Sequence, residues 1–157
     1  MLRNLLTAAI VIGLCGLAAA PAAASPTHHG AARGRVFIQR IFYNSPGSDD
    51  RSNSSLNAEW VDLHNSSGHP ITLTHWTLRD KDGHVYKFKT RYRLRAHKDV
   101  RIHTGHGRNT STNRFWGSGN YVWNNDGDTA VLKSASGSVK SRCTYSDPSE
   151  QRSSVTC

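Results

Sequence analysis

Glu59-Trp60-Val61-Asp62-Leu63-His64-Asn65 is followed, after a Gly68-His69-Pro70 turn, by Ile71-Thr72-Leu73-Thr74-His75-Trp76-Thr77-Leu78-Arg79-Asp80. Apolar and polar residues alternate in both halves, the period of a half-buried strand, and residues 65–70 are rich in turn formers. The two halves read as a β-hairpin that carries Trp60, Val61, Leu63, Leu73, Trp76 and Leu78 into a core, with Asp62 exposed.

Strand signals continue on both sides. Residues 35–43 are dense in β-branched and aromatic side chains and read as a first strand, whereas Asn44 to Ser55 reads as a long exposed loop. Asp82-Gly83 is a strong turn signal, which should return Val85-Tyr86-Lys87-Phe88 antiparallel to Trp76–Leu78. Leu94, Val100 and Ile102 mark a further strand pair joined through residues 96–99. Asn124 to Asp128 forms another acidic turn, and Thr129–Lys133, which adds Leu132 to the core, and Val139–Tyr145 close the domain. No stretch sustains helical periodicity over three turns, so essentially no helix is expected after the leader. Short strands between turn signals define an all-β sandwich or barrel.

Residues 1–24 differ in kind. One early cation, an apolar run from Leu5 to Leu17 and a small-residue site at Ala22-x-Ala24 make a secretory signal peptide, too short for a span of roughly 20 residues. The expected organisation is therefore 1–24 signal peptide, 25–34 flexible lead-in, 35–145 one β-sandwich domain, and 146–157 a loose polar tail. Such a protein is secreted, extracellular or attached to the cell envelope, without stable membrane insertion after cleavage. Two cysteines remain, Cys143 and Cys157, and an even pair in an oxidising compartment reads as one disulfide. A free or intermolecular Cys157 is the alternative.

After loss of Arg3, 19 basic residues face 11 acidic ones, leaving +8 with neutral histidines. An exported cation of this size is biased towards anionic partners such as nucleic acid or cell-surface polymers. The charge is concentrated in Lys87-Phe88-Lys89-Thr90-Arg91-Tyr92-Arg93-Leu94-Arg95, with Lys98 and Arg101 just beyond. As a single strand, it would align Lys87, Lys89, Arg91, Arg93 and Arg95 on one face over roughly 26 Å. A solvated basic face is the competing reading.

Other constellations are weaker. Asn124, Asp126 and Asp128 alternate like the start of a calcium loop, but the sixth and twelfth positions hold Thr129 and Ala135 instead of Gly and an acid. The glycines of Thr104–Asn109 lack the helix and Lys-Ser/Thr pair of a phosphate loop. His97, His103 and His106, with Asp99 or Asn109, give the rival reading of a metal-dependent nuclease or phosphoesterase. No nucleophile motif accompanies them, so a non-catalytic module without cofactor is expected, with a protein partner as a further alternative.

Three motifs in order, Glu59 to Asn65, Ile71-Thr72-Leu73-x-x-Trp76-Thr77-Leu78-Arg79-Asp80, and Trp123-Asn124-Asn125-Asp126-Gly127-Asp128-Thr129-Ala130-x-Leu132, resemble the lamin tail domain. The resemblance covers roughly Val36 to Tyr145. It implies an immunoglobulin-like β-sandwich of about eight or nine strands that binds or scaffolds. It also implies a turn between Phe88 and Leu94, which would gather some cations at one end of the sandwich instead of along a rail. No coiled-coil rod or second catalytic domain accompanies the motifs, so filament assembly is not implied.

Overall fold

A computed structural model describes residues 35–157; the expected signal peptide and lead-in lie outside the described residues. In chain order the elements are β1 (Val36–Phe42), α1 (Asn53–Ala58), β2 (Trp60–Asn65), β3 (Ile71–Thr72), β4 (Thr77–Arg79) and β5 (Val85–Lys87). They continue with β6 (Arg93–Leu94), β7 (Asp99–His103), β8 (Asn113–Phe115), β9 (Gly127–Lys133), β10 (Val139–Ser146) and β11 (Ser154–Thr156). One sheet has the order β11-β1-β2-β7-β8, the other β10-β9-β4-β5, and β3 pairs with β6 in a small ribbon. All pairings are antiparallel except β7 with β8. Nine strands thus fill two layers, an immunoglobulin-like β-sandwich.

Alternation decides which side chains meet. Val61, Leu63, Val100 and Ile102 of the five-stranded sheet are buried against Leu78, Ala130 and Leu132 of the four-stranded sheet. Leu73, Phe88, Tyr92, Leu94 and Trp123 belong to the same core. Burying such a side chain stabilises the fold by roughly 1.5–3 kcal/mol. Because Val61 points inward, Trp60 cannot: neighbouring strand residues face opposite sides. Trp60 instead stacks on Phe42 on the outer face, with ring centroids 5.3 Å apart, and it is no part of the inter-sheet core. Trp76 is partly buried and packs on the core margin.

The expected hairpin is not formed. β2 pairs with β1 and β7, while β3 and β4 belong to other sheets. The connecting residues do turn, but into a crossover: the Asn65 side chain accepts from Ser67 N (3.1 Å) and donates to the carbonyls of His69, Leu94 and Arg95. This buried amide fastens the crossover to β6. The expected pair of β6 and β7 is not formed either: β6 lies against β3, and β7 between β2 and β8. The Asp82-Gly83 turn does pair β4 with β5, in the register Thr77↔Lys87 and Arg79↔Val85.

Two further expectations are corrected. The segment read as an exposed loop contains α1, opened by Ser52, whose hydroxyl accepts from Ser55 N at 3.2 Å, and anchored by buried Leu56. Six residues are too few to register in a three-turn periodicity search. The tail is not loose either. β11 pairs with β1, and Cys157, disulfide-bonded to Cys143, donates its N–H to Gln39 O at 2.9 Å. Asp147 holds the return, accepting from Tyr43 Oη at 3.1 Å and Arg152 N at 2.8 Å.

Candidate polyanion interface

The expected rail is broken in two. β5 ends at Lys87, and the next strand begins at Arg93. Phe88, Tyr92 and Leu94 are buried while Lys87, Lys89, Arg91, Arg93 and Arg95 are exposed, so the alternation survives across a turn. Lys87 faces outward from the four-stranded sheet. Arg93, Arg95, Lys98 and Arg101 are brought together in a groove of about 510 Å³, together with Asp62, Leu94, Asp99, Ser111, Thr112 and Asn113. Lys89 lies apart from that groove, in a second cleft of about 340 Å³ that Lys87 also lines, with Arg114, Phe115 and Trp116, and Arg91 lines neither.

Not every groove cation is available. Arg101 donates from Nε and Nη2 to the two oxygens of Asp62 at 2.9 and 2.8 Å, a bidentate pair, and its guanidinium lies 3.4 Å over the Trp60 ring. Asp99, the other carboxylate, pairs with His64 Nδ1 at 2.6 Å. Both groove carboxylates therefore have partners of their own. Arg93, Arg95 and Lys98 make no side-chain hydrogen bond or ion pair among the described residues, and they remain open to a ligand. The polar wall of Ser111, Thr112 and Asn113 was not foreseen. Only the parallel pairing of β8 with β7, register Arg101↔Asn113, places it there, and a three-residue strand has no periodicity to reveal that.

Arg114 was also missed. Its guanidinium lies 4.2 Å over Tyr92, and its Nε is buried without a hydrogen-bond partner. It is a packing cation more than a contact one.

The histidines do not assemble. His97 lies in the turn before β7 and His103 ends that strand, and among the described residues they form no converging group of metal-ligating side chains. His103 is already engaged at both nitrogens, with Asn57 O at 2.8 Å and Asn113 Oδ1 at 2.9 Å. The glycines nearby serve packing: a Cβ at Gly107 would collide with the Phe115 ring.

Among the described residues, Asp80, Asp82 and Asp128 do converge. Their oxygens are used within the fold. Asp80 accepts from Gly83 N and His84 N at 2.8 and 2.7 Å, Asp128 from Lys81 N at 3.0 Å, and Asp82 from Asn124 Nδ2 at 2.8 Å. The cluster pins two turns to each other, with Asp128 held above its usual carboxylate range by burial. Glu59 has a comparable structural duty. It is fully buried, accepts from Thr104 Oγ1 (2.6 Å), Val122 N (2.8 Å) and Trp123 N (3.3 Å), and burial pushes its pKa up to about 7.

Fold and surface together define an immunoglobulin-like sandwich with a basic groove at its margin and no helix among the described residues long or apolar enough to cross a membrane. Residues 29–147 match the Lamin Tail Domain model, and the chain belongs to that family of immunoglobulin-like, non-enzymatic domains. No curated protein matched the sequence.

Proposed function

We propose that the protein is an exported binding module that holds an anionic polymer through the groove lined by Arg93, Arg95 and Lys98. The observation that carries this reading is the pairing pattern: Asp62 is held by Arg101 and Asp99 is hydrogen-bonded to His64, while Arg93, Arg95 and Lys98 have no side-chain partner among the described residues. Arginine predominates, and its planar fork matches phosphate oxygens in pairs. Phosphodiester polymers are therefore the favoured class over carboxylate ones. The leader-like residues 1–24 support export, and the immunoglobulin-like family supports a binding or scaffold role.

Fluorescence anisotropy with a labelled duplex at fixed moderate salt tests the reading. The Arg93→Ala/Arg95→Ala/Lys98→Ala variant should bind roughly tenfold or more weakly. Unchanged affinity in a folded variant would remove the groove from consideration.

A further inference from the structure

The outer face of the four-stranded sheet carries a second set of cations that strand register brings into two rows. Arg142 is opposite Val131, Val131 opposite Arg79, and Arg79 opposite Val85, which makes one row across β10, β9, β4 and β5. In the next row Lys133 is opposite Thr77 and Thr77 opposite Lys87. Cations within a row are thus two strands apart, about 10 Å, and the rows about 7 Å apart.

In β4, β5 and residues 129–133 and 142–145 of β9 and β10, the inward positions are Leu78, Tyr86, Ala130, Leu132, Cys143 and Tyr145, so the outward set is Thr77, Arg79, Val85, Lys87, Thr129, Val131, Lys133, Arg142 and Thr144. It contains four cations and no acid. None of the four makes a side-chain hydrogen bond or ion pair among the described residues. Val131 is buried beneath its cationic neighbours, and a depression of about 350 Å³ is lined by Arg79, Lys133, Arg142 and Lys81. The one carboxylate at its rim, Asp80, is buried and already accepts from Gly83 N and His84 N.

This face belongs to the opposite layer from the groove wall formed by Asp62 and Arg101. Asp62 and Arg101, at the groove, stand on the outer face of the five-stranded sheet, because Val61, Leu63, Val100 and Ile102 face the core. The two sheets are layers of one sandwich, about 10 Å apart. A stiff duplex, with a persistence length of about 500 Å, cannot bend around a slab that thin to touch both sides.

We propose that the domain is bivalent: the sheet face of Arg79, Lys87, Lys133 and Arg142 takes a second phosphodiester chain, so that one molecule bridges two stiff polymers. The inference rests on groove binding as the first contact. The sheet face supplies the second, and neither requires oligomerisation.

Two duplexes of about 30 base pairs, well under the persistence length, are labelled in different colours and mixed with the protein below saturation. Co-diffusion is read by fluorescence cross-correlation, and total binding by anisotropy in the same samples. Wild type should bind and co-diffuse the two colours. The Arg79→Gln/Lys133→Gln/Arg142→Gln variant should keep groove binding but lose roughly tenfold or more of the co-diffusion. Binding of only one duplex per wild-type molecule, or co-diffusion unchanged in the variant, overturns bivalency while leaving the groove intact. Absence of any duplex binding by wild type overturns both readings. Circular dichroism of the variant confirms the fold, which exposed strand positions with Gln should preserve.

Discussion

The guanidinium of Arg101 lies 3.4 Å above the ring of Trp60 while it grips both oxygens of Asp62. Parity along β2 makes this possible, since Trp60 and Asp62 share the outer face and Arg101 stands opposite Asp62 in β7. Arg101 is consequently a wall of the groove more than a free charge in it.

Asp62→Asn should therefore have opposite effects on stability and binding. Losing a partly exposed ion pair lowers stability by about 1 kcal/mol or less. The released guanidinium raises the positive charge of the groove, so duplex affinity should rise and the salt slope steepen by about one. Urea unfolding and a salt titration of binding read the two effects. A variant that binds more weakly than wild type while still folded would show that Asp62 positions Arg101 for the ligand instead of withholding it.

The Cys143–Cys157 disulfide ties β10, in one layer, to the residue after β11, in the other, with a sequence separation of 14. A loop of that length contributes roughly 3 kcal/mol in the chain-entropy description. Reduction, or Cys143→Ala with Cys157→Ser, should lower the unfolding free energy by that amount in urea titrations. It should also speed amide exchange in β11 (Ser154–Thr156) before it does so in β1. Exchange that rises equally throughout the five-stranded sheet would mean that β11 does not depend on the bridge.

Glu59 gives a pH dependence of stability. Its folded pKa of about 7 is above the ordinary 4.5 because burial disfavours the carboxylate. The folded chain therefore holds this proton more tightly than the unfolded chain. Between about pH 4.5 and 7 the contribution of Glu59 must decline as pH rises, by at most about 3 kcal/mol, and level off above that. Other groups act in the same range, so the informative quantity is the stability of wild type minus that of Glu59→Gln, measured by urea unfolding from pH 4 to 8. This difference should fall with rising pH. A difference that is flat or climbs across the window would mean that the three donors around the carboxylate outweigh its burial.

The layers were legible from residues whose signal is local. Alternation in 59–65 and 129–133 and the Asp82-Gly83 turn suffice for strands, and the three ordered motifs for the sandwich. Which strands pair was not legible. The Asn65 crossover looks like a hairpin turn because the same residue types make both, and only its hydrogen bonds to Leu94 and Arg95 across the chain distinguish them. Adjacent Trp60 and Val61 could not both enter one core, a restriction already present in the alternation. The basic segment stood out by composition, but its division between two faces depends on a turn after β5. The cations of the second face come from three separate strands beside Lys87, at positions where each reads as an ordinary exposed residue.

The salt dependence of duplex binding tests the groove most directly. For wild type, log affinity should fall linearly with log salt, and in Arg93→Ala/Arg95→Ala/Lys98→Ala the slope should be shallower by about 2 to 3, near 0.9 for each phosphate that is no longer neutralised. The same slope and affinity in both proteins, with the variant folded, would contradict polyanion binding through this groove.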